Sequence, residues 1–389
     1  MRALTLYAGP AARRHIEQHG LAPQHVGVIP AAAGGPKGLM LGPLDRFIFG
    51  RWLAASTQPV DLVGASIGAW RMATACLDAP VAAFERLEHG YIHGDMKAPP
   101  GRRLPPPEQL SAAFAANLRS MFDGQIEALL RHPRYRLHVL ASRGRHLLGR
   151  EGRWRTPLGY LGAGLTNLAS RRAMGGWIER VVFSAAGPGG APHALPFATH
   201  DYRTRQLLLT PANFYPALQA SGSIPFVLQA VHDIPGAPRG AYWDGGITDY
   251  HLHLAYGTAK TIADRPMPAP ARGQIEAEHR AEHTEAASEG CLVLYPHFQQ
   301  AVVPGWLDKG LRWRHRATPW LDRMLLLAPD PAWVQTLPGA KLPDRNDFQR
   351  LGHPERVQAW TTAVHAAVQL ADEFEAWLAR PDPSALKPL

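Results

Sequence analysis

The stretch Pro59–Ala73, PVDLVGASIGAWRMA, decides the fold. A mostly apolar run, Pro59–Val63, passes straight into Gly64-Ala-Ser66-Ile-Gly68 and then into a helix-type run. A strand that feeds a helix through so short a turn belongs to a parallel sheet with crossover helices. Side chains at Gly64 and Gly68 would collide with neighbouring backbone in such a turn, so the pair of glycines lets the Ser66 hydroxyl project above the sheet edge. The following helix aims its N-terminus at the same point and favours negative charge there. Ser66 is therefore a candidate nucleophile. The same pentapeptide also occurs as an ordinary strand-to-helix turn, and it brings neither a base nor oxyanion donors.

Outward from this turn the alternation continues. Ala12–Gly20 reads as a short helix ended by Gly20, His25–Ile29 as a buried strand, and Leu39–Ser56 has apolar residues at helical spacing. Tyr135–Ser142 and Arg180–Ala186 read as further strands, Cys291–Pro296 and Arg323–Pro329 as late ones. From Pro354 to Ala379 one long amphipathic helix is predicted, with Val357, Trp360, Val364, Val368 and Phe374 on its apolar side, packing outside the sheet. The expected fold is α/β, a three-layer α/β/α arrangement around a mainly parallel sheet. It is expected as one domain over residues 1–389, with a core of about 24–255 and a C-terminal extension, 291–389, packed on it. Ala263–Gly290, rich in Pro, Ala and Glu, reads as a polar surface insertion.

Composition narrows the class. The chain has 389 residues, of which 46% are hydrophobic, enough for a large core. Cys76 and Cys291 lie far apart and form no disulfide framework or metal pattern, so a reducing compartment is the expectation. Met1–Ala12 holds too short an apolar run for a signal peptide. The longest uncharged stretch, Gln206–Val231, contains Asn213 and three prolines and is rejected as a membrane span. A cytoplasmic protein is expected. The net charge is +9, with arginine clusters at Arg143–Arg155 and Arg312–Arg316, each with a tryptophan. This suits peripheral contact with an anionic membrane, although a solvated basic face would look the same. No nucleic-acid-binding signature accompanies the charge, so no nucleic acid partner is expected.

Two further segments bear on Ser66. Ala31–Gly38, AAAGGPKG, directly follows the His25–Ile29 strand. It lacks both the dinucleotide-binding and the P-loop pattern, since Lys37 is followed by Gly38 and Leu39. An oxyanion hole remains, with amides from Gly34 and Gly35; Pro36 has none to give. In Tyr242–His251, YWDGGITDYH, Asp244 precedes Gly245 and Gly246 at a turn and could serve as a general base. Asp-Gly is also a common turn former.

Together these segments resemble the patatin-like lipid acyl hydrolases, the patatin-like phospholipase family. The resemblance rests on a glycine-rich loop with a basic residue (Lys37, Gly38), Gly-x-Ser-x-Gly at Gly64–Gly68, the block Ala220–Val227 (ASGSIPFV), and Asp-Gly-Gly at Asp244–Gly246, in that order. It spans roughly Val26–Asp249. It implies Ser66 as nucleophile, Asp244 as base, the Gly34 and Gly35 amides as oxyanion hole, an acyl-enzyme intermediate, and neither metal nor cofactor. Phospholipids, lysophospholipids or neutral lipids are the implied substrates, and an intracellular polyester (polyhydroxyalkanoate) is a second possibility for the same dyad. The chain departs from the family where Ala32 and Ala33 replace an Asp and a Gly of the loop. It also separates Ser66 from Asp244 by 178 residues, with the basic segment after Arg143 a candidate for extra material. A carboxylate is a weak base for a hydroxyl, with an ordinary pKa near 3.9. Partial burial would strengthen it, and each oxyanion donor would lower the barrier by about 3 kcal/mol.

Rival readings exist. A Ser-His-Asp hydrolase would recruit His297 or His353. His279–His283, HRAEH, fits a zinc-peptidase spacing but lies in the polar insertion, without an apolar helix to fix its ligands. His251 and His253 read as structural histidines. A lipid-binding protein that has kept the fold without activity is the non-enzymatic alternative.

Overall fold

The computed structural model describes residues 1–94, 105–257 and 291–389. Among these, the strands are β1 (Leu4–Ala8), β2 (Val26–Ala31), β3 (Val60–Ala65), β4 (Tyr135–Gly144), β5 (Ile178–Ser184), β6 (Thr204–Leu208), β7 (Val231–His232), β8 (Ala241–Asp244), β9 (Leu292–Pro296), β10 (Met324–Pro329) and β11 (Lys387–Pro388). They form one sheet in the order β11-β1-β10-β9-β2-β3-β4-β5-β6, with β8 on β4 and β7 on β8. The centre, from β10 to β4, is parallel. β1 and β5 run antiparallel to their inner neighbours. Nearly every residue of the central strands is buried, as in parallel sheets covered by helices. The longer helices are α1 (Pro10–His19), α2 (Ile67–Ala75), α3 (Pro80–His93), α4 (Pro107–Phe122), α5 (Arg155–Ala169), α6 (Phe214–Gly222), α7 (His353–Ala366) and α8 (Val368–Ala379). The architecture is the expected mixed α/β one, with a large, mainly parallel sheet flanked by helices.

Four details differ from the sequence reading. The C-terminal segment 291–389 does not merely pack on a core of residues 24–255. It supplies β9 and β10, and β9 lies inside the sheet between β10 and β2. The N-terminal Leu4–Ala8 is a buried strand, too short to show a period. The helix at Leu39–Ser56 begins earlier and changes winding, from a 3₁₀ turn (Gly35–Leu41) through an α turn (Gly42–Phe47) and a π turn (Ile48–Trp52) to a last 3₁₀ turn (Leu53–Ala55). Pro36 and Pro43 each sit in the first turn of a new piece, where the missing amide is harmless.

The predicted Pro354–Ala379 helix is divided at Ala367, whose amide is shared between the Ala363 and Val364 carbonyls (3.0 and 3.1 Å). The apolar stripe restarts after this break. Leu370, Ala371, Phe374 and Trp377 are buried, whereas Val368 is exposed. In α7, Trp360 packs on Tyr91 and Phe348. In α8, Phe374 meets Phe47 and Trp52. The Ala263–Gly290 insertion and the His279–His283 motif lie outside the described residues. No helix among the described residues is long and apolar enough to cross a membrane.

One strand sets the site. β4 is longer than β3 and pairs with it only as far as Ala65 opposite Leu140. From the next residue, Ala141 opposite Asp244, the same edge of β4 pairs with β8 running the other way. β3 and β8 therefore abut end to end, C-terminus against C-terminus, on one edge of β4.

Candidate active site

That abutment brings Ser66 to Asp244. The Ser66 hydroxyl donates to Asp244 Oδ2 at 2.8 Å, across 178 residues of chain. Ser66 holds φ 56° and ψ −129°, a left-handed conformation that a non-glycine residue occupies at a cost of about 1–3 kcal/mol. The turn leaves no room around it. A side-chain carbon on Gly64 would overlap the Ala69 backbone, and one on Gly68 the Ala31 carbonyl. On the other side, a carbon on Gly245 would overlap the Leu140 carbonyl, and one on Gly246 would come 2.6 Å from Ala33 Cβ. The two glycine pairs let the ends of β2, β3 and β8 close on one another against the middle of β4.

Both dyad residues are buttressed from the Ala220–Val227 segment. The Ser66 amide donates to Ser221 Oγ (2.9 Å), whose hydroxyl donates to the Leu140 carbonyl (2.6 Å). The Asp244 amide donates to the Ser223 carbonyl (2.9 Å). The Gly246 amide donates to Asp244 Oδ1 (2.7 Å), so each carboxylate oxygen accepts one bond. Behind the turn, Asp249 is held by buried Arg180 through two bonds of 2.7 Å, and Arg180 also grips Asp201. The elbow helix α2 is anchored by a buried bidentate pair, Arg71 to Asp45 (2.6 and 2.7 Å).

Burial raises Asp244 to about 6, against the lowering effects of the Ser66 and Gly246 hydrogen bonds and of Arg345 and Lys309. Its carboxylate is thus a stronger base than an exposed one, yet ionised at neutral pH. Lys309 is pushed down to about 7, mainly by desolvation and then by Arg345 and Lys37, with Asp244 opposing. Its ammonium lies 3.9 Å from the centre of the Tyr250 ring. Lys309 and Arg345 line the same open cleft as Ser66 and Asp244, together with the apolar Ile224, Pro225, Ile247 and Trp306; it spans ≈ 340 Å³, with the solvent at its open mouth included.

The glycine loop reaches this cleft through Gly34 and Gly35. Their amides have no partner among the described residues, whereas the Ala33 amide donates to the Tyr250 carbonyl (3.0 Å). Gly34 and Gly35 are therefore the amides of this loop left to receive an oxyanion. Lys37 does not line the cleft. It stands 5.3 Å over the Phe298 ring, which itself packs on Gly34 so closely that a side-chain carbon there would meet it at 2.5 Å. Gly38 seats the loop against Ile67 of α2, with 3.2 Å between an added carbon and Ile67 Cγ2.

The histidines stand apart. His297 is buried, pushed down to about 3 by desolvation, and its Nδ1 faces the Gln299 carbonyl at 2.5 Å. His353 faces the His93 carbonyl. Neither touches Ser66 or Asp244. His251 and His253 are buried and bonded to the Ala301 and Val302 carbonyls, as structural histidines are. The sequence pointed to Ser66, Asp244, Gly34 and Gly35, which meet here. It did not single out Ser221 and Ser223 as supports, or Lys309, Arg345 and Tyr250 as cleft walls. The Ala220–Val227 block was the only signal for the first pair, and the others carry no motif. No model of a known protein family matches the chain, and no curated protein matches it.

Proposed function

We propose that the protein is a serine acyl-ester hydrolase acting on lipids, of the patatin-like kind, with Ser66 and Asp244 as its catalytic dyad. The observation that carries this reading is the 2.8 Å hydrogen bond from Ser66 Oγ to a buried carboxylate, at a strained turn beside two amides that have no partner among the described residues. In the first half-reaction Asp244 takes the hydroxyl proton as Oγ attacks the ester carbon. The tetrahedral oxyanion is received by the Gly34 and Gly35 amides. Collapse breaks the bond to the leaving alcohol, which takes the proton from Asp244 and leaves an acyl group on Ser66. Water then attacks this acyl group, gives its proton to Asp244, and releases the fatty acid as Ser66 is reprotonated.

The cleft supports an amphiphilic substrate. Ile224, Pro225, Ile247 and Trp306 suit an acyl chain, and Lys309 with Arg345 suits an anionic group, as a phospholipid or lysophospholipid has. A panel of lipid and simple esters run with wild type, Ser66→Ala and Asp244→Asn tests the proposal. Both variants are expected to lose activity by about 10³-fold or more. Turnover surviving either change, or failure of a fluorophosphonate probe to label Ser66 in the folded protein, would overturn it. Failed labelling would favour a lipid-binding protein without activity.

A further inference from the structure

Helix α5 has two opposite faces of different kinds. Thr156, Gly159, Tyr160, Ala163 and Asn167 are buried. The other face carries Leu158, Leu161, Leu165 and Leu168, at spacings of three, four and three, which a helix aligns in one stripe. These leucines are 54–61% exposed, on the side where a surface helix normally places polar residues. Exposed Trp154 stands at the N-cap of the helix. Exposed Trp313 belongs to the turn Arg312–His315, which abuts the other end: Arg314 donates to the Asn167 and Leu168 carbonyls (2.8 and 3.3 Å).

The border of the stripe is basic. Residues 143–172 contain seven arginines and one carboxylate, Glu151. Arg150, Arg153, Arg155 and Arg172 are exposed and pair with no carboxylate among the described residues. The helix also packs on the rim of the catalytic cleft. The Tyr160 ring lies 5.7 Å from Phe226, which follows cleft-lining Ile224 and Pro225, and 6.3 Å from Trp243, the neighbour of Asp244. Asn167 donates to Asp308 (2.8 Å), which stands between the cleft residues Trp306 and Lys309.

We infer that this face docks on an anionic lipid surface, with α5 in the plane of the interface, its leucines at the acyl boundary and its arginines on the phosphates. Tryptophans at both ends suit the headgroup level. A second copy of the chain is the weaker occupant: a two-fold contact through the same stripe would set arginine border against arginine border. A lipid surface accepts both the apolar stripe and the positive charge. Docking itself is independent of the hydrolase reading; only delivery of the bound lipid to Ser66 rests on it.

The experiment is co-sedimentation of the full chain with phosphatidylcholine vesicles, with and without phosphatidylglycerol, at low and high salt. Tighter binding to the anionic vesicles is expected, weakening with salt. Leu161→Ser with Leu165→Ser should weaken binding by about tenfold or more. Arg153→Ala with Arg155→Ala should remove only the preference for phosphatidylglycerol. These side chains are exposed, so circular dichroism and turnover of a short-chain, water-soluble ester should match wild type. A failure of docking and a failure of the hydrolase reading are thus read separately. Wild type that binds no vesicle, or leucine variants that bind as well as wild type, would overturn the inference. So would a solution dimer that the leucine changes dissociate, which would assign the stripe to a second copy.

Discussion

Asp244 is a carboxyl group whose burial sets both its chemistry and its cost. As the base of the proposed dyad it would work only when ionised, so kcat/KM is expected to fall about tenfold per pH unit below about 6. The stability consequence has the opposite sign from that of a salt-bridged carboxylate. The folded state binds the proton up to about pH 6, the unfolded state only up to about 4, so stability declines as pH rises through that window and stays lowered above it. Asp244→Asn removes the buried charge. This variant should be inactive yet more stable than wild type at pH 8, by up to about 3 kcal/mol, with the gain shrinking towards pH 4. Urea unfolding at both pH values checks the sign. Arg345 is the larger of the two cationic influences that lower Asp244. Arg345→Ala should therefore move the acid limb of the pH–rate profile upward, which a profile on a soluble ester would show. Ser66 and Asp244 were legible in the sequence because a cramped turn restricts its neighbours to glycine. Arg345 and Lys309 were not, because a lone cation on a loop looks the same whether or not it overhangs a cleft.

Strand β4 is the common reference of the site, since β3 and β8 take successive stretches of one of its edges. The supports around this junction are polar and buried, so their removal should be felt. Ser221→Ala strips the Ser66 amide and the Leu140 carbonyl of their partner. About 1–3 kcal/mol of stability should be lost, and kcat should fall more than KM changes, as unfolding and steady-state measurements can show. Arg180→Met takes the guanidinium from Asp201 and leaves Asp249 only its longer contact to Arg171 (3.3 Å), and should destabilise by about 3–5 kcal/mol in thermal or urea unfolding. Most strands and helices near the turn were legible because their apolar periods are regular. The break at Ala367 was not: neither Gly nor Pro marks it, and Val368 continues the apolar spacing even though the helix restarts there.

At the scale of the whole molecule, the alternating pattern of the N-terminal half revealed the sheet but not its strand order. The late runs Cys291–Pro296 and Arg323–Pro329 read as strands, yet nothing local says that β9 is inserted beside β2 and not added at an edge. Sequence distance hides such pairings, because the partner of Val26 is Leu292. A chain ending at residue 257 should therefore fail to fold, as a loss of cooperative unfolding and of fluorophosphonate labelling would show. The position of β9 also has a consequence during synthesis. The elbow leaves the ribosome early, while one edge of β2 waits for residues more than 260 positions later to be made. Until then the strand Val26–Ala31 has one apolar edge unpaired, and a nascent chain in that condition is prone to aggregate and slow to close so long a loop. Ser66 is thus made early and its sheet closed late, so that on the proposed hydrolase reading activity arises only once residues 291–389 have been made.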